Sequence, residues 1–165
     1  MDPRQALAAV RRALAATPAQ LAGGLQRVVR DSPDEWLEQM MQTPARRVVL
    51  EVLFWQLSER LDSAAGSRIS ALIRCRITGR SAGLLDVYEV ELGDDRCRVV
   101  RGLSDRDPRL TIIVDIVELL RIAAGDSDPL RAYMRGGIAV SGDAVLAARL
   151  AWMLRGGLGG NPPHL

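Results

Sequence analysis

The sequence predicts an α+β fold in which five strands share one sheet and helices cover one of its faces. Three observations predict it. Apolar residues recur at helical spacing up to Leu61, whereas from Ser67 to Arg101 they alternate with polar residues. From Leu110 to Leu154 the elements follow one another as strand, helix, helix, strand and helix, with almost no spare loop. A chain of 165 residues with 48% apolar content can bury a core that needs neither disulfides nor a metal.

The N-terminal part of the chain, residues 1–43, is predicted to be a helical extension. Three pairs of a serine or threonine followed by proline each place a capping side chain before a residue suited to the first helical position. These pairs are Thr17-Pro18, Ser32-Pro33 and Thr43-Pro44. We therefore expect a helix over Pro3–Ala16, a second over Pro18–Arg30 and a short third helix with Leu37 at its centre. The third helix carries a stripe that we expect to dock on the main core, made of Trp36, Met40 and Met41.

The segment from Pro44 to Leu61 is predicted to be a helix that is apolar around most of its circumference and is interrupted by Glu51. A helix of this kind must be buried on nearly all sides. Two arrangements would bury it: a sandwich between the sheet and the N-terminal helices, or a position in which one face borders a cavity. The segment by itself favours the sandwich.

Three strands are predicted between Arg68 and Arg101, and short turns join them into an antiparallel meander. The first alternates apolar and polar residues as far as Thr78, the second runs from Leu85 to Leu92, and the third runs from Arg96 to Arg101. Arginines on the first and third strands flank acidic residues on the second. The simpler interpretation of this outer face is a cross-strand charge lattice, and the alternative is a phosphate-binding patch.

Glycines and aspartates mark the element boundaries in the run from Leu110 to Leu154. A strand over Leu110–Val114 leads into a helix that opens with Asp115 and ends at Gly125, and Asp128-Pro129 opens a second, shorter helix. A glycine pair ends that helix, because glycine tolerates the left-handed backbone, and another strand follows. Asp143 then caps the last helix by accepting hydrogen bonds from its first turn.

The inventory of reactive side chains argues against an enzyme. The only histidine, His164, lies in a tail predicted to be disordered, and the chain has no lysine, so the folded part lacks the usual general base and Schiff-base former. All 22 basic residues are arginine, a bias typical of G+C-rich coding, and 20 acidic residues nearly balance them. A net charge of +2 without a basic cluster argues against nucleic acid as the main ligand.

Cys75 and Cys97 both lie in predicted strands and are interpreted as buried free thiols in a reducing compartment. No stretch approaches the roughly 18 uncharged apolar residues that a membrane span requires. The N-terminus carries arginines spread through a helical pattern, which is not typical of a signal peptide. We expect a cytoplasmic protein without a cofactor or a metal.

One segment of the run resembles the signature of the sterol carrier protein 2 (SCP2) domain family. It reads Met134-Arg135-Gly136-Gly137-Ile138-Ala139-Val140-Ser141-Gly142-Asp143, follows an Asp-Pro helix and precedes an apolar helix, which is the family's Met-x-Gly-x-Ile-x-Val-x-Gly-Asp pattern. The resemblance covers about Pro44 to Leu154. It implies a five-stranded, mainly antiparallel sheet covered by helices, with an apolar tunnel that binds sterols, fatty acids, acyl-CoA or other lipids.

The chain departs from the family in two places. Many members carry lysine where this chain has Gly137, so any headgroup role of that cation is absent or passes to Arg135. The N-terminal helices have no counterpart in the family pattern, and they could cover the tunnel or mediate dimerisation. We therefore expect a helical extension at 1–43, a lipid-binding domain at 44–155 and a disordered tail at 156–165.

The resemblance implies that the protein binds or transfers a lipid without catalysis, with transient membrane contact. Tyr133 would be the one group able to hydrogen-bond a ligand head. The alternatives are an accessory or scaffold protein with a filled tunnel, which binds a partner or a second copy through its N-terminal helices, and an enzyme acting on a lipid, which the missing bases disfavour. Each residue of the expected tunnel wall could also be solid core. The wall is expected to consist of Trp55, Val114, Leu120, Tyr133, Met134, Ile138, Val140, Leu146, Leu150 and Met153.

Overall fold

The computed structural model describes residues 18–63, 69–93, 96–155 and 158. The helices in this range are α1 (Pro18–Asp31), α2 (Asp34–Met40), α3 (Ala45–Ser63), α4 (Ile116–Ala124), α5 (Pro129–Met134) and α6 (Ala144–Met153). The strands are β1 (Ala71–Thr78), β2 (Asp86–Gly93), β3 (Arg96–Arg101), β4 (Leu110–Asp115) and β5 (Ile138–Gly142). The predicted helix over Pro3–Ala16 lies outside the described residues, as does the predicted tail apart from Leu158.

The five strands form one sheet in the order β3-β2-β1-β4-β5. The pairs β1–β2, β2–β3 and β4–β5 are antiparallel, and β1–β4 is parallel. The predicted α+β fold with a mainly antiparallel sheet is therefore confirmed. After β3 the chain crosses the outer face of the sheet to place β4 beside β1, and the N–H of Arg109 donates to the carbonyl of Leu72 (2.8 Å) on the way.

Aspartates begin the three helices of the second half, as predicted from their positions. The carboxylates of Asp115, Asp128 and Asp143 accept hydrogen bonds of 2.9–3.0 Å from amide groups in the first turn of α4, α5 and α6. Just before the last cap, Gly142 has a φ of 109° and its Cα faces the carbonyl of Arg109 so closely that a Cβ would overlap it. This contact holds the start of α6 against the start of β4.

The inner face of the sheet carries the apolar residues of the predicted alternation. On the central strand β1, Ile73, Cys75 and Ile77 are buried. Their neighbours in register are Val90, Tyr88 and Asp86 on β2, and Leu110, Ile112 and Val114 on β4. Helices α3, α4 and α6 cover this face. Among the described residues, no helix combines the length and the apolar character that a bilayer crossing requires.

The N-terminal helices α1 and α2 pack mainly on α4 and α3, as a second layer above the sheet. Leu37 and Met41 are fully buried there, and Trp36 and Met40 are half-buried against the same core, so the predicted docking stripe is present. One side chain of α4 fastens the layer. The guanidinium of Arg121 donates to the carbonyls of Val29 (2.5 Å) and Ser32 (2.7 Å) and to the Asp34 carboxylate (2.6 Å).

Helix α3 is not buried on nearly all sides, contrary to the expectation from its composition. It has one exposed stripe, formed by Arg47, Glu51, Trp55, Glu59 and Asp62. These residues recur at helical spacing, and four of the five are charged, so they must face water. Both arrangements predicted for this helix apply in part. It lies beneath α1, and one of its faces also borders a cavity.

The predicted pairing of charges across the outer face is present between β1 and β2. Arg74 donates to Glu89 at 2.8 Å and 3.0 Å, and both side chains are buried because the 102–109 connection crosses over them. Arg74 also donates to the carbonyl of Arg106 (2.8 Å). Burial alone would raise the pKa of Glu89, yet hydrogen bonds from Ser104 and Arg74 hold that pKa below its usual value. The pair therefore anchors the connection that leads to β4.

Candidate functional site

An apolar cavity of about 260 Å³ lies between the inner face of the sheet and the helices. Four of the five strands form its floor, because inner-face side chains of β1, β2, β4 and β5 stand side by side in register. In register, Cys75 faces Ile112, which faces Val140, and Val114 faces Ile138. The floor residues are Ile73, Cys75, Val90, Ile112, Val114, Ile138 and Val140.

Helices α3 to α6 supply the walls. Helix α3 gives Phe54, Leu57 and Leu61, α4 gives Leu119 and Ile122, and α5 gives Pro129, Leu130 and Tyr133. Helix α6 contributes mostly alanines, which recur three and four positions apart and so line one side of the helix. Because alanine ends at Cβ, this side leaves open the space that larger residues would fill. The α6 residues are Ala144, Ala147, Ala148, Leu150, Ala151 and Leu154.

The cavity opens to solvent between α5 and α6. Leu130 and Tyr133 on α5 are 50% and 53% exposed, and Ala144 and Ala148 on α6 are also exposed, although all four line the cavity. Residues farther in are buried or half-buried. The cavity is therefore a pocket with one apolar mouth, which we call the α5–α6 mouth.

Five of the ten predicted wall residues line this cavity, and five do not. The first five are Val114, Tyr133, Ile138, Val140 and Leu150. Leu120 and Leu146 belong to the solid core, with 1% and 3% exposure, and Met153 is half-buried against that core. Trp55 lies on the exposed stripe of α3, and Met134 projects into solvent beside the mouth with 77% exposure.

Several lining residues could have been found from the alternation of the strands. Ile73, Cys75 and Ile112 share the face of Val114 because they stand at even spacing or opposite it in register. The alanines of α6 gave no such indication, because a small residue in a helix is equally typical of close packing. Helix α4 is apolar on several sides, so its sequence does not show that Leu119 rather than Leu120 faces the cavity.

The cavity contains little that could perform acid–base chemistry. Within the described residues its lining includes no charged side chain, and its polar side-chain atoms are the Tyr133 hydroxyl and the Cys75 thiol. Burial raises the pKa of Cys75 to about 12, so the thiol is protonated at neutral pH. Among the described residues, no cluster of His, Cys, Asp and Glu is arranged to hold a metal ion. The lining therefore suits an apolar guest.

The cation suggested for a headgroup role, Arg135, is engaged in an ion pair. It donates to both carboxylate oxygens of Glu118 (2.7 Å each) and to the hydroxyl of Ser127 (2.9 Å). The adjacent Gly137 is tightly placed, since a Cβ there would lie 3.2 Å from a Glu118 oxygen and 3.3 Å from the carbonyl of Ala132. This cluster ties the turn between α5 and β5 to α4, beside the mouth.

A second cleft, of about 400 Å³, is polar and lies at the start of α3. Arg46 is 5% exposed and donates to the Asp86 carboxylate (2.7 Å) and to the carbonyls of Gly79 (3.0 Å) and Thr78 (2.8 Å). Arg101 also reaches Asp86 at 3.3 Å. Burial would raise the pKa of Asp86, but hydrogen bonds from the two arginines hold it below the usual value. The pair fastens α3 to the sheet.

Comparison with known families finds a match to the SCP-2 sterol transfer family over residues 50–155. A search of curated proteins finds no match. Two similar solved structures are of sterol carrier protein 2-like 2 from Aedes aegypti. A palmitated form in solution is 22% identical, with a TM-score of 0.54, and the match covers 68% of this chain and 96% of that one. A crystal structure is 25% identical, with a TM-score of 0.50, and the match covers 64% of this chain and 95% of that one.

A third similar structure is that of an enzyme, a sec-alkyl sulfatase from Pseudomonas sp.. It is 18% identical over 66% of this chain and 16% of that chain, with a TM-score of 0.51. This likeness shows the fold alone. The same fold therefore also occurs as a small part of a larger catalytic protein.

Proposed function

Since the chain belongs to the SCP-2 sterol transfer family, we propose that it binds a lipid in the apolar cavity and carries it without catalysing a reaction. The observation that carries this proposal is the lining itself. Side chains from four strands and four helices surround the space, and none of those lining residues is charged. Val114, Tyr133, Ile138, Val140 and Leu150 are proposed to contact the ligand, together with the alanines of α6.

The proposed ligand is a single long acyl chain, such as a fatty acid. A volume of about 260 Å³ lies just below the range of roughly 300–1,000 Å³ that is typical of small-molecule pockets, which favours one chain over a bulky guest. Each buried methylene contributes ~0.8 kcal/mol, so about ten methylenes suffice for micromolar affinity. The Aedes aegypti structure is described as palmitated, and the proposal extends the same kind of ligand to this chain.

The polar end of the ligand would lie at the α5–α6 mouth. Tyr133 lines the cavity and is 53% exposed, so its hydroxyl can reach both the guest and water. Because Arg135 is paired with Glu118, the headgroup role considered for it from the sequence is not part of the proposal. The thiol of Cys75, with a pKa of about 12, is a poor base near neutral pH, which supports a role in binding rather than catalysis.

The test fills the cavity with a side chain. The protein is delipidated, and the displacement of a fluorescent fatty acid by palmitate is measured for the native chain and for Ala151→Phe. We expect saturable displacement by the native protein and binding at least about tenfold weaker in the variant, because the new ring would occupy the guest's space. Ala139→Phe is the matched control, since Ala139 is exposed on the outer face of the sheet and should leave binding unchanged.

Two outcomes would contradict the proposal. One is the absence of saturable displacement by the native protein, which would favour the alternative of a scaffold protein whose partner binds elsewhere. The other is native affinity in Ala151→Phe while its circular dichroism spectrum is unchanged, which would place the ligand outside the cavity. Unequal effects of the two phenylalanines on folding would be detected by the same spectra.

A further inference from the structure

Large apolar side chains surround the α5–α6 mouth and face solvent. Met134 is 77% exposed and Val145 is 66% exposed, and Trp152, on the same side of α6 as Val145, is 38% exposed. Leu130 and Tyr133 continue this surface into the cavity lining. An apolar surface of this kind on a water-facing helix pair is unusual unless it meets an apolar partner.

Unpaired positive charge accompanies the apolar surface. Arg131 and Arg149 are exposed, and within the described residues neither side chain forms an ion pair. Helices α5 and α6 contain no acidic residue. The negative charges of the aspartates that cap these helices are balanced by ion pairs, Asp128 with Arg155 (3.2 Å) and Asp143 with Arg109 (2.6 Å). The surface around the mouth therefore carries a net positive charge.

The cations and the apolar residues lie side by side on each helix. Arg131 precedes Met134 by three positions on α5, and Arg149 follows Val145 by four on α6. Residues at these spacings are neighbours on a helix surface. An arginine can thus extend toward a phosphate at the depth of a lipid headgroup while its apolar neighbour enters the acyl region.

We propose that this face, made of Leu130, Arg131, Met134, Val145, Arg149 and Trp152, docks on the surface of an anionic lipid bilayer. The inference rests on the proposed function, since it places the mouth of the lipid cavity directly on the membrane. Docking would let an acyl chain pass between bilayer and cavity without crossing water. The charge favours a membrane over a protein partner with a neutral apolar surface, because anionic phosphates complement both arginines.

The experiment is vesicle flotation with the full chain. Vesicles of phosphatidylcholine alone are compared with vesicles that also contain phosphatidylglycerol. We expect at least tenfold tighter binding to the anionic vesicles, weakened by salt. The affinity of the double variant Arg131→Glu/Arg149→Glu for anionic vesicles should be about 30-fold lower or more, because each cation near an anionic surface contributes ~1 kcal/mol to binding. The affinity of Met134→Asp for the same vesicles should be about tenfold lower, since the side chain at this position would no longer enter the acyl region.

The matched controls change the same charge and the same type of side chain elsewhere. Arg27 and Arg47 are exposed and, within the described residues, form no ion pair, and Leu103 is 65% exposed. Arg27→Glu/Arg47→Glu and Leu103→Asp should stay within about threefold of the native affinity for vesicles, apart from the general effect of net charge. Equal losses in the test and control double variants would overturn the docking face. The docking face would also be overturned if the native protein bound neither kind of vesicle. The face would then contact a protein partner or only water.

Displacement of a fluorescent fatty acid in vesicle-free buffer separates this proposal from the function on which it rests. Arg131→Glu/Arg149→Glu should bind the fatty acid with native affinity, because both side chains lie outside the cavity lining. Fatty-acid binding without vesicle binding would reject only the docking face. Vesicle binding with the expected pattern but no fatty-acid binding would reject only the lipid cavity.

Discussion

The same face of one sheet is packed solid in one region and hollow in another. In the region over β2, which we call the packed region, the ring of Phe54 stacks on that of Tyr88 with centroids 4.1 Å apart and planes 8° from parallel. Leu50 and Tyr88 are at most 1% exposed there. In the region over β4 and β5, which we call the cavity region, helix α6 stands over the sheet and leaves the space of the cavity.

The difference lies in the side chains that the covering helix presents. Over β2, helix α3 fills the core with Leu50, Leu53 and one side of the Phe54 ring, which also borders the cavity, whereas α6 brings alanines at 144, 147, 148 and 151. The strands beneath both regions carry ordinary β-branched and apolar residues. The short alanine side chains of α6 therefore leave space for the cavity that larger residues would fill. Tyr133 and Cys75 line the cavity, whereas Tyr88 lies in the packed region and Cys97 packs against the core from the neighbouring strand β3, which provides pairs for testing the comparison.

The largest expected difference is between the two tyrosines. Tyr88→Ala removes a ring that is 1% exposed and should lower the free energy of unfolding by about 3–5 kcal/mol, because it loses the apolar contacts and leaves a void. Tyr133→Ala, at the mouth, should lower the free energy of unfolding by less than about 1 kcal/mol. Urea denaturation followed by circular dichroism measures both. Similar losses in the two variants would mean that the cavity region is as tightly packed as the packed region.

A smaller difference is expected when an alanine is enlarged in each region. Ala123 on α4 is 4% exposed in solid core, so Ala123→Leu should cost about 1–3 kcal/mol through overpacking. Ala151→Leu places the same additional carbons in the cavity and should change the free energy of unfolding by less than about 0.5 kcal/mol. The comparison of regions would be wrong if Ala151→Leu were the more destabilising of the two.

The two thiols should respond differently to a ligand. Cys75 lines the cavity, and burial raises its pKa to about 12, whereas Cys97 lies on β3, where burial and then the charge of Asp62 raise its pKa to about 11. Palmitate should slow alkylation of Cys75 by an uncharged maleimide at least about tenfold, since it would occupy the access route, and leave Cys97 unchanged. Mass spectrometry of the labelled peptides distinguishes them, and equal protection of both would contradict a ligand in the cavity.

The raised pKa values of the Cys75 and Cys97 thiols also determine how the stability of the folded state changes with pH. The folded state keeps both thiol protons to a higher pH than the unfolded chain, whose thiols have a pKa of ~8.5. The resulting stabilisation is fully present below that pH and is lost as the pH rises toward about 11 and 12. Urea denaturation of Cys75→Ala should accordingly show a shallower loss of stability on the alkaline side than the native chain.

The fold was predicted better from the sequence than the site was, because the helices and strands depend on patterns of residues close together in the chain. The alternation of the meander is present in β1 and β2, and the aspartates expected to begin the last three helices cap them. Whether an inward residue meets a partner or a void depends on side chains from distant elements. Leu120 and Leu146, which were expected in the tunnel wall, lie in the core because such partners surround them.

Trp55 illustrates a different limit. The count of apolar residues in α3 suggested burial all round, yet Trp55 shares its stripe with Glu51 and Glu59. The spacing of these charged residues was present in the sequence and indicates a water-facing side. Composition alone therefore misplaced a residue that periodicity would have placed correctly.

The parallel pairing of β1 with β4 has a consequence for the order of folding. The meander β1 to β3 joins residues close in sequence, whereas Cys75 and Ile112 meet across a long intervening segment, and both form the cavity floor. Closing that long loop is entropically costly and comes late. We therefore expect substitutions around the cavity to accelerate unfolding while leaving the rate of folding nearly unchanged. The cavity would then be the last part of the molecule to form and the first to open.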